Sequence, residues 1–205
     1  MGTYENARLK TKQKIVKAFW KLYREKNIDK ITVKDITDAC KIHRATFYLH
    51  FADVYAVLEQ MEEELLDELK EICQLNVDRK EDPDCYGIAH KIYFHYLQRW
   101  EFLHFMLKES TGSNFSAAYK GVLVEAIGRL NGIDLESMSG KERTIAQVVL
   151  NGMVEMFIIC ADEDMFTFDD LMHIMKGYAY LGMNRILHDQ YQISLQLTFN
   201  PEEKS

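Results

Sequence analysis

The sequence predicts an all-α protein, with an N-terminal three-helix helix-turn-helix domain followed by a larger helical domain. Three observations predict it. Only two prolines, Pro83 and Pro201, and ten glycines occur in 205 residues, which leaves long stretches free of helix breakers. Apolar residues recur at i, i+3, i+4 and i+7 rather than alternating, the period of one helix face. Apolar residues make up 47% and charged residues 28%, ordinary for a soluble globular chain long enough to bury a core.

Ile15, Ala18, Phe19, Leu22 and Tyr23 form the apolar stripe of a first helix, with Lys12, Lys14, Lys17 and Lys21 mostly off it, and "NIDK" ends it. Thr32 followed by Asp35 predicts a capped second helix whose buried side is Val33, Ile36 and Ala39. "CKI" is a tight break, and a third short helix runs from about His43 to His50. Asp53 caps a long fourth helix that lines up Val54, Val57, Leu58, Met61, Leu65, Leu69 and Ile72 on one face and acids on the other. The polar segment 76–87 reads as a linker. Further helices are expected over about 86–109, 114–131, 140–161 and 168–188, with Ser139/Glu142 and Thr167/Asp170 as capping pairs. The last two are too apolar for ordinary surface helices, which points to a partner surface. The tail "NPEEKS" is expected to be disordered.

No uninterrupted apolar run approaches the roughly 18 residues of a membrane span, and "MGTYENARLKTKQK" lacks the apolar core of a signal peptide, so a cytoplasmic protein is expected. Cys40, Cys73, Cys85 and Cys160 are scattered, which favours reduced thiols over disulfides. Cys85, His90, His95 and His104 are close in sequence. However, His90 and His95 are five apart and share no helix face, so structural histidines are expected and no metal or cofactor.

The net charge of −7 conceals an asymmetry. Residues 1–51 hold 12 lysines and arginines against five acids, whereas the remainder holds 13 against 27. A basic end on an acidic chain is the electrostatic footprint of a site for an anionic polymer.

Two short helices joined by a tight turn behind a supporting helix make a helix-turn-helix, whose second helix enters the major groove. "KIHRATFYLHF" (41–51) suits that role, because Ile42, Phe47 and Phe51 pin the helix while polar groups point away. His43, Arg44 and Thr46 stand at its start; Arg bonds bidentately to guanine, and Thr offers a hydroxyl or a methyl group. Tyr48 and His50 have tips suited to phosphate oxygens, as do Thr32 and Lys34 from the preceding helix.

"TVKDITDACKIHRATFYLHF" closely resembles the DNA-binding signature of the TetR family of transcriptional regulators. The matching positions are Thr32, Val33, Ile36, Ile42, Arg44, Ala45, Thr46, Phe47, Tyr48, His50 and Phe51. The flanking helices and the total length also fit. Two departures stand out: Lys41 fills a turn position usually held by glycine, where a left-handed backbone costs about 1 kcal/mol. Val54 stands where a lysine is common, which removes one phosphate contact and shifts that burden to Lys34 and the N-terminal lysines. The resemblance implies a DNA-binding domain over 1–53 and a helical effector-binding and dimerisation domain over 54–205. It implies a homodimer through helices 140–161 and 168–188 on a roughly palindromic double-stranded operator, most often as a repressor released by a small-molecule effector.

The second half is rich in aromatics and methionines, chiefly in "YFHYLQRWEFLHFML". Most such residues build a helical core. As a pocket for an apolar or aromatic effector, the candidates are Tyr93, Tyr96, Trp100, Phe105 and Phe157. The competing reading is a co-regulator of the same fold that acts through a protein partner. An enzyme is not expected, since there is no glycine-rich phosphate loop, nucleophile elbow or metal-ligand spacing.

Overall fold

A computed structural model describes residues 3–74, 85–108, 114–130, 135–162 and 166–177. Every regular element among them is helical. They form two compact units divided between Leu65 and Leu66, inside one continuous helix.

The first unit opens with α1 (Thr3–Tyr23), a single 3₁₀ turn at Ile28–Lys30, α2 (Val33–Cys40), α3 (Arg44–Tyr48) and the beginning of α4 (Val54–Gln74). The α1 stripe packs as its spacing requires, with Ile15, Phe19 and Tyr23 buried and Ala18 and Leu22 half-buried. Ile31, Ile36, Phe47, Phe51, Val54, Val57 and Leu58 complete this core. Thr32 caps α2 in both senses: its hydroxyl accepts from the Asp35 N–H at 3.2 Å, and its own N–H donates to the Asp35 carboxylate at 2.9 Å. The Ala56 N–H donates to Asp53 at 2.8 Å, so the expected cap of α4 is present. The buried side of α2 differs from expectation, since Ala39 is exposed while Ile36 and Thr37 are buried. Thr37 tolerates burial because its hydroxyl donates to the Lys34 carbonyl at 3.1 Å.

Between α2 and α3 the chain turns through Lys41, at φ 54° and ψ 51°, the left-handed region. The Ile42 N–H donates back to the Thr37 carbonyl at 3.0 Å and the Lys41 N–H to Asp38 at 3.4 Å, the bonding of a helix-ending Schellman turn. A side chain here is strained where glycine is not. Lys41→Gly is therefore expected to stabilise the chain by about 0.5–1 kcal/mol after the added unfolded-state freedom is subtracted. Denaturant midpoints at constant slope read this directly; an unchanged or lower midpoint means that the turn carries no strain.

The second unit continues α4 and adds α5 (Cys85–Gln98), α6 (Trp100–Lys108), α7 (Phe115–Leu130), α8 (Gly140–Asp162) and α9 (Phe168–Lys176). The single helix expected over 86–109 is two, separated at Arg99. The 76–87 linker ends earlier than expected, because Tyr86 and Gly87 are already helical, and residues 75–84 lie outside the described residues. For the last helix, only Phe168–Lys176 of the expected span is described as α-helix, and 178–188 lie outside the described residues, as does "NPEEKS". Thr167 and Asp170 form the anticipated capping box, and Glu142 accepts from both the N–H and the hydroxyl of Ser139. In α8, residues Gly140–Ala161 are long and apolar enough to cross a membrane, but half of that window is buried inside the fold. Ala146, Val149, Leu150, Met153, Val154, Phe157, Ile158, Cys160 and Ala161 are buried, which explains its composition without a bilayer.

A polar cluster enters this core. His95 on α5 is buried, with Nε2 3.2 Å from the Glu68 carboxylate of α4 and Nδ1 3.5 Å from the Tyr119 hydroxyl of α7. Burial lowers the His95 pKa against the pull of Glu68, so the ring is neutral. Burial pushes Glu68 up, but hydrogen bonds from Arg99 and His95 bring it below the usual carboxylate range. We assign the tautomer that satisfies both contacts: Nε2–H donates to Glu68 and Nδ1 accepts from Tyr119, whose phenol burial keeps protonated. Burial, then Glu125, pushes the neighbouring Cys73 thiol up to about 11, so it stays an unreactive thiol.

Candidate nucleic-acid interface

Seven residues were expected to meet DNA, and their positions follow from α2, the Lys41 turn and α3. Phe47 is fully buried and its ring meets Phe51 at 5.9 Å, which anchors one side of α3. His43 is the N-terminal cap residue of α3, without a side-chain capping bond, so its imidazole is left to solvent beside Arg44. Both are exposed, Thr46 is half-buried, and Tyr48 is 58% exposed. Lys34 and Thr32 are exposed on α2 and its cap. The Thr32 hydroxyl is occupied as an acceptor yet keeps its own O–H to donate.

Charge pairing separates the cations. Lys26 is tied to Asp35 at 3.2 Å and Lys12 to Glu64 at 3.1 Å. Among the described residues, Lys34 and Arg44 have no acid at ion-pair distance, so their charge is open to a ligand. Lys10, Lys14, Lys17 and Lys21 are exposed on α1. His50 is half-buried, and burial followed by the nearby Arg8 and Lys12 lowers its pKa, holding the ring neutral where cations gather. An incoming phosphate reverses that balance. Val54, at the position where a lysine is common, is buried in the core, so the substitution exchanges a surface cation for packing.

Two residues outside the expected seven also belong to this surface. Ala45 is exposed and Leu49 is 73% exposed, both on the side of α3 opposite Phe47. Their i, i+4 spacing was the available signal.

Residues 15–61, which span most of this unit, match the family model of bacterial regulatory proteins of the tetR family. The helix-turn-helix segment is therefore similar to that of the tetR family. The fold agrees: it is similar to the crystal structure of a TetR transcriptional regulator from Streptococcus agalactiae 2603V, with a TM-score of 0.59 and 22% identity over 84% of this chain and 94% of that one. At that identity the likeness concerns the fold. No curated protein matches.

Beyond the helix-turn-helix, the effector candidates are placed unevenly. Tyr96 is fully buried and its ring lies 6.0 Å from Phe157, while Tyr93 lies 6.5 Å from Phe157 and 5.2 Å from Phe168. Trp100 is 40% exposed and stands against His104 at 4.8 Å, and Phe105 is half-buried on α6. Among the described residues no three His, Cys, Asp or Glu side chains are grouped to hold a metal ion.

Proposed function

We propose that this chain is a TetR-family regulator, a non-enzymatic cytoplasmic repressor that binds a palindromic double-stranded operator as a homodimer and is released by a small-molecule effector. The observation that carries the reading is the pair of unneutralised cations, Arg44 and Lys34, beside the exposed face of α3. Residues 1–53 bind DNA; residues 54–205 dimerise and bind the effector. Arg44, with His43 and Thr46, reads base edges, while Thr32, Lys34, Tyr48 and His50 meet phosphates. The dimer forms through helices 140–161 and 168–188, in support of which Val148 and Ile159 are exposed apolar residues of α8. Two recognition helices then stand about 34–36 Å apart, one turn of DNA. Effector contacts come from Tyr93, Tyr96 and Phe157, with Trp100 and Phe105 as further candidates. The effector must prefer the state that fits DNA poorly, and DNA weakens effector binding by the same factor.

Selection of bound duplexes from a random library at about 0.1 M salt, with sedimentation of the protein, tests this reading. A two-half-site palindrome and a dimeric mass are expected. Salt-sensitive background without enrichment would move the chain to the protein-partner reading.

The lowered His50 pKa gives a pH dependence. Phosphate favours the protonated ring, so the complex binds more protons than the free protein and affinity rises as pH falls from about 7.5 to 5.5. Titrating affinity against pH with His50→Gln as control checks it. The same slope in the variant assigns the effect to another group.

A further inference from the structure

We propose that Leu49 and Ala45 read thymine methyl groups in the major groove, which gives the operator half-site a requirement for thymine. This rests on the operator-binding reading above. Leu49 is the most exposed large apolar side chain among the described residues, at 73%, and it directly follows α3, still in helical conformation at φ −73° and ψ −14°. Ala45 stands four residues before it, so the two share the outermost line of the helix, opposite buried Phe47. Tyr48 flanks them, 58% exposed.

Neither Leu49 nor Ala45 has a side-chain donor or acceptor, so neither distinguishes bases by hydrogen bonding. In the major groove the one apolar group that differs between base pairs is the C5 methyl of thymine. The exposed cations Lys34 and Arg44 of the same unit suit an anionic groove, Lys34 at its phosphates and Arg44 at a base edge, rather than the apolar surface of a protein partner. An alanine and a leucine are also too small a face to hold a protein helix, whereas they match a methyl group each. At about 1.5 Å rise per residue the two lie roughly 6 Å apart along the helix. That is about two base-pair steps of roughly 3.4 Å, so two methyl groups within two or three steps are within reach.

The test uses the full-length protein on the duplex obtained by selection, with each thymine of a half-site replaced in turn by deoxyuridine. That change removes the methyl group and leaves the hydrogen-bonding edge intact. Wild type is expected to lose about fourfold in affinity at one or two thymines per half-site, the value of burying one methyl group. Leu49→Ala, at an exposed position that leaves the core untouched, is expected to lose a similar factor on the parent duplex and to become indifferent to deoxyuridine at its position. Wild-type indifference to every replacement overturns the proposal, as does a Leu49→Ala protein that stays fully sensitive, or a selected half-site without thymine. In those cases operator binding itself stands. Failure to enrich any sequence overturns the operator reading and this one together.

Discussion

Phe47→Ala is expected to destabilise the N-terminal unit by about 3–5 kcal/mol, the usual cost of emptying a fully buried phenylalanine site. Phe47 is 0% exposed, and its ring meets Phe51 at 5.9 Å and Tyr48 at 5.6 Å. It is the only fully buried side chain of α3, whose helical span is just five residues. A helix that short has no stability of its own and is held by packing. Removing the ring leaves a cavity and frees α3 at once. The loss is comparable with the whole stability of a small domain. Hydrogen exchange of the full chain resolves where it falls: protection of α1–α3 amides should drop about a hundredfold or more while α7 and α8 keep theirs. A change below about 1 kcal/mol would mean that the neighbouring rings close the gap and that α3 has other anchors.

Arg44→Ala is expected to weaken binding to the selected operator by roughly 1–3 kcal/mol and to relax the preference for one base pair, because a bidentate guanidinium contact is lost. Arg44 is exposed and, among the described residues, bonded to no acid, so its removal leaves no internal ion pair broken and the fold intact. Lys34→Ala gives the contrast. A phosphate contact carries no sequence information, so that variant should lose affinity on cognate and random duplexes alike, with the salt slope reduced by about one. Competition measurements with both duplexes at two salt concentrations separate the roles. Equal losses on both duplexes for Arg44→Ala would assign it to the backbone and leave base reading to Thr46, His43 and the apolar pair.

Much of the DNA-binding unit was legible because its determinants are local. The Thr32–Asp35 box, the Asp53 cap and the left-handed Lys41 each involve residues within five positions of one another. The helical stripe of α1 appears in the packed core at Ile15, Phe19 and Tyr23 for the same reason. Where the reading went astray, a distant residue or a local bond decided. Ala39 fits the apolar side of α2 by spacing, yet Thr37 is the buried residue, since the Lys34 carbonyl satisfies its hydroxyl. The 86–109 helix carries no proline to announce its interruption. At that position Arg99 makes two hydrogen bonds to Glu68, 31 residues away.

The sequence by itself determined the helical class, the caps and turn that shape the helix-turn-helix, and the residue types offered to DNA, because period and capping act over one or two turns. Tertiary structure alone decided which of those groups remain available. Lys12 is neutralised by Glu64, 52 residues on, while Lys34 keeps an open charge; His95 is buried between Glu68 and Tyr119; and Leu49, an apolar residue between Tyr48 and His50, is left facing outward. Ion pairing and burial depend on which segments meet in space, and the spacing of residues along one helix carries no record of the neighbour that will pack against it.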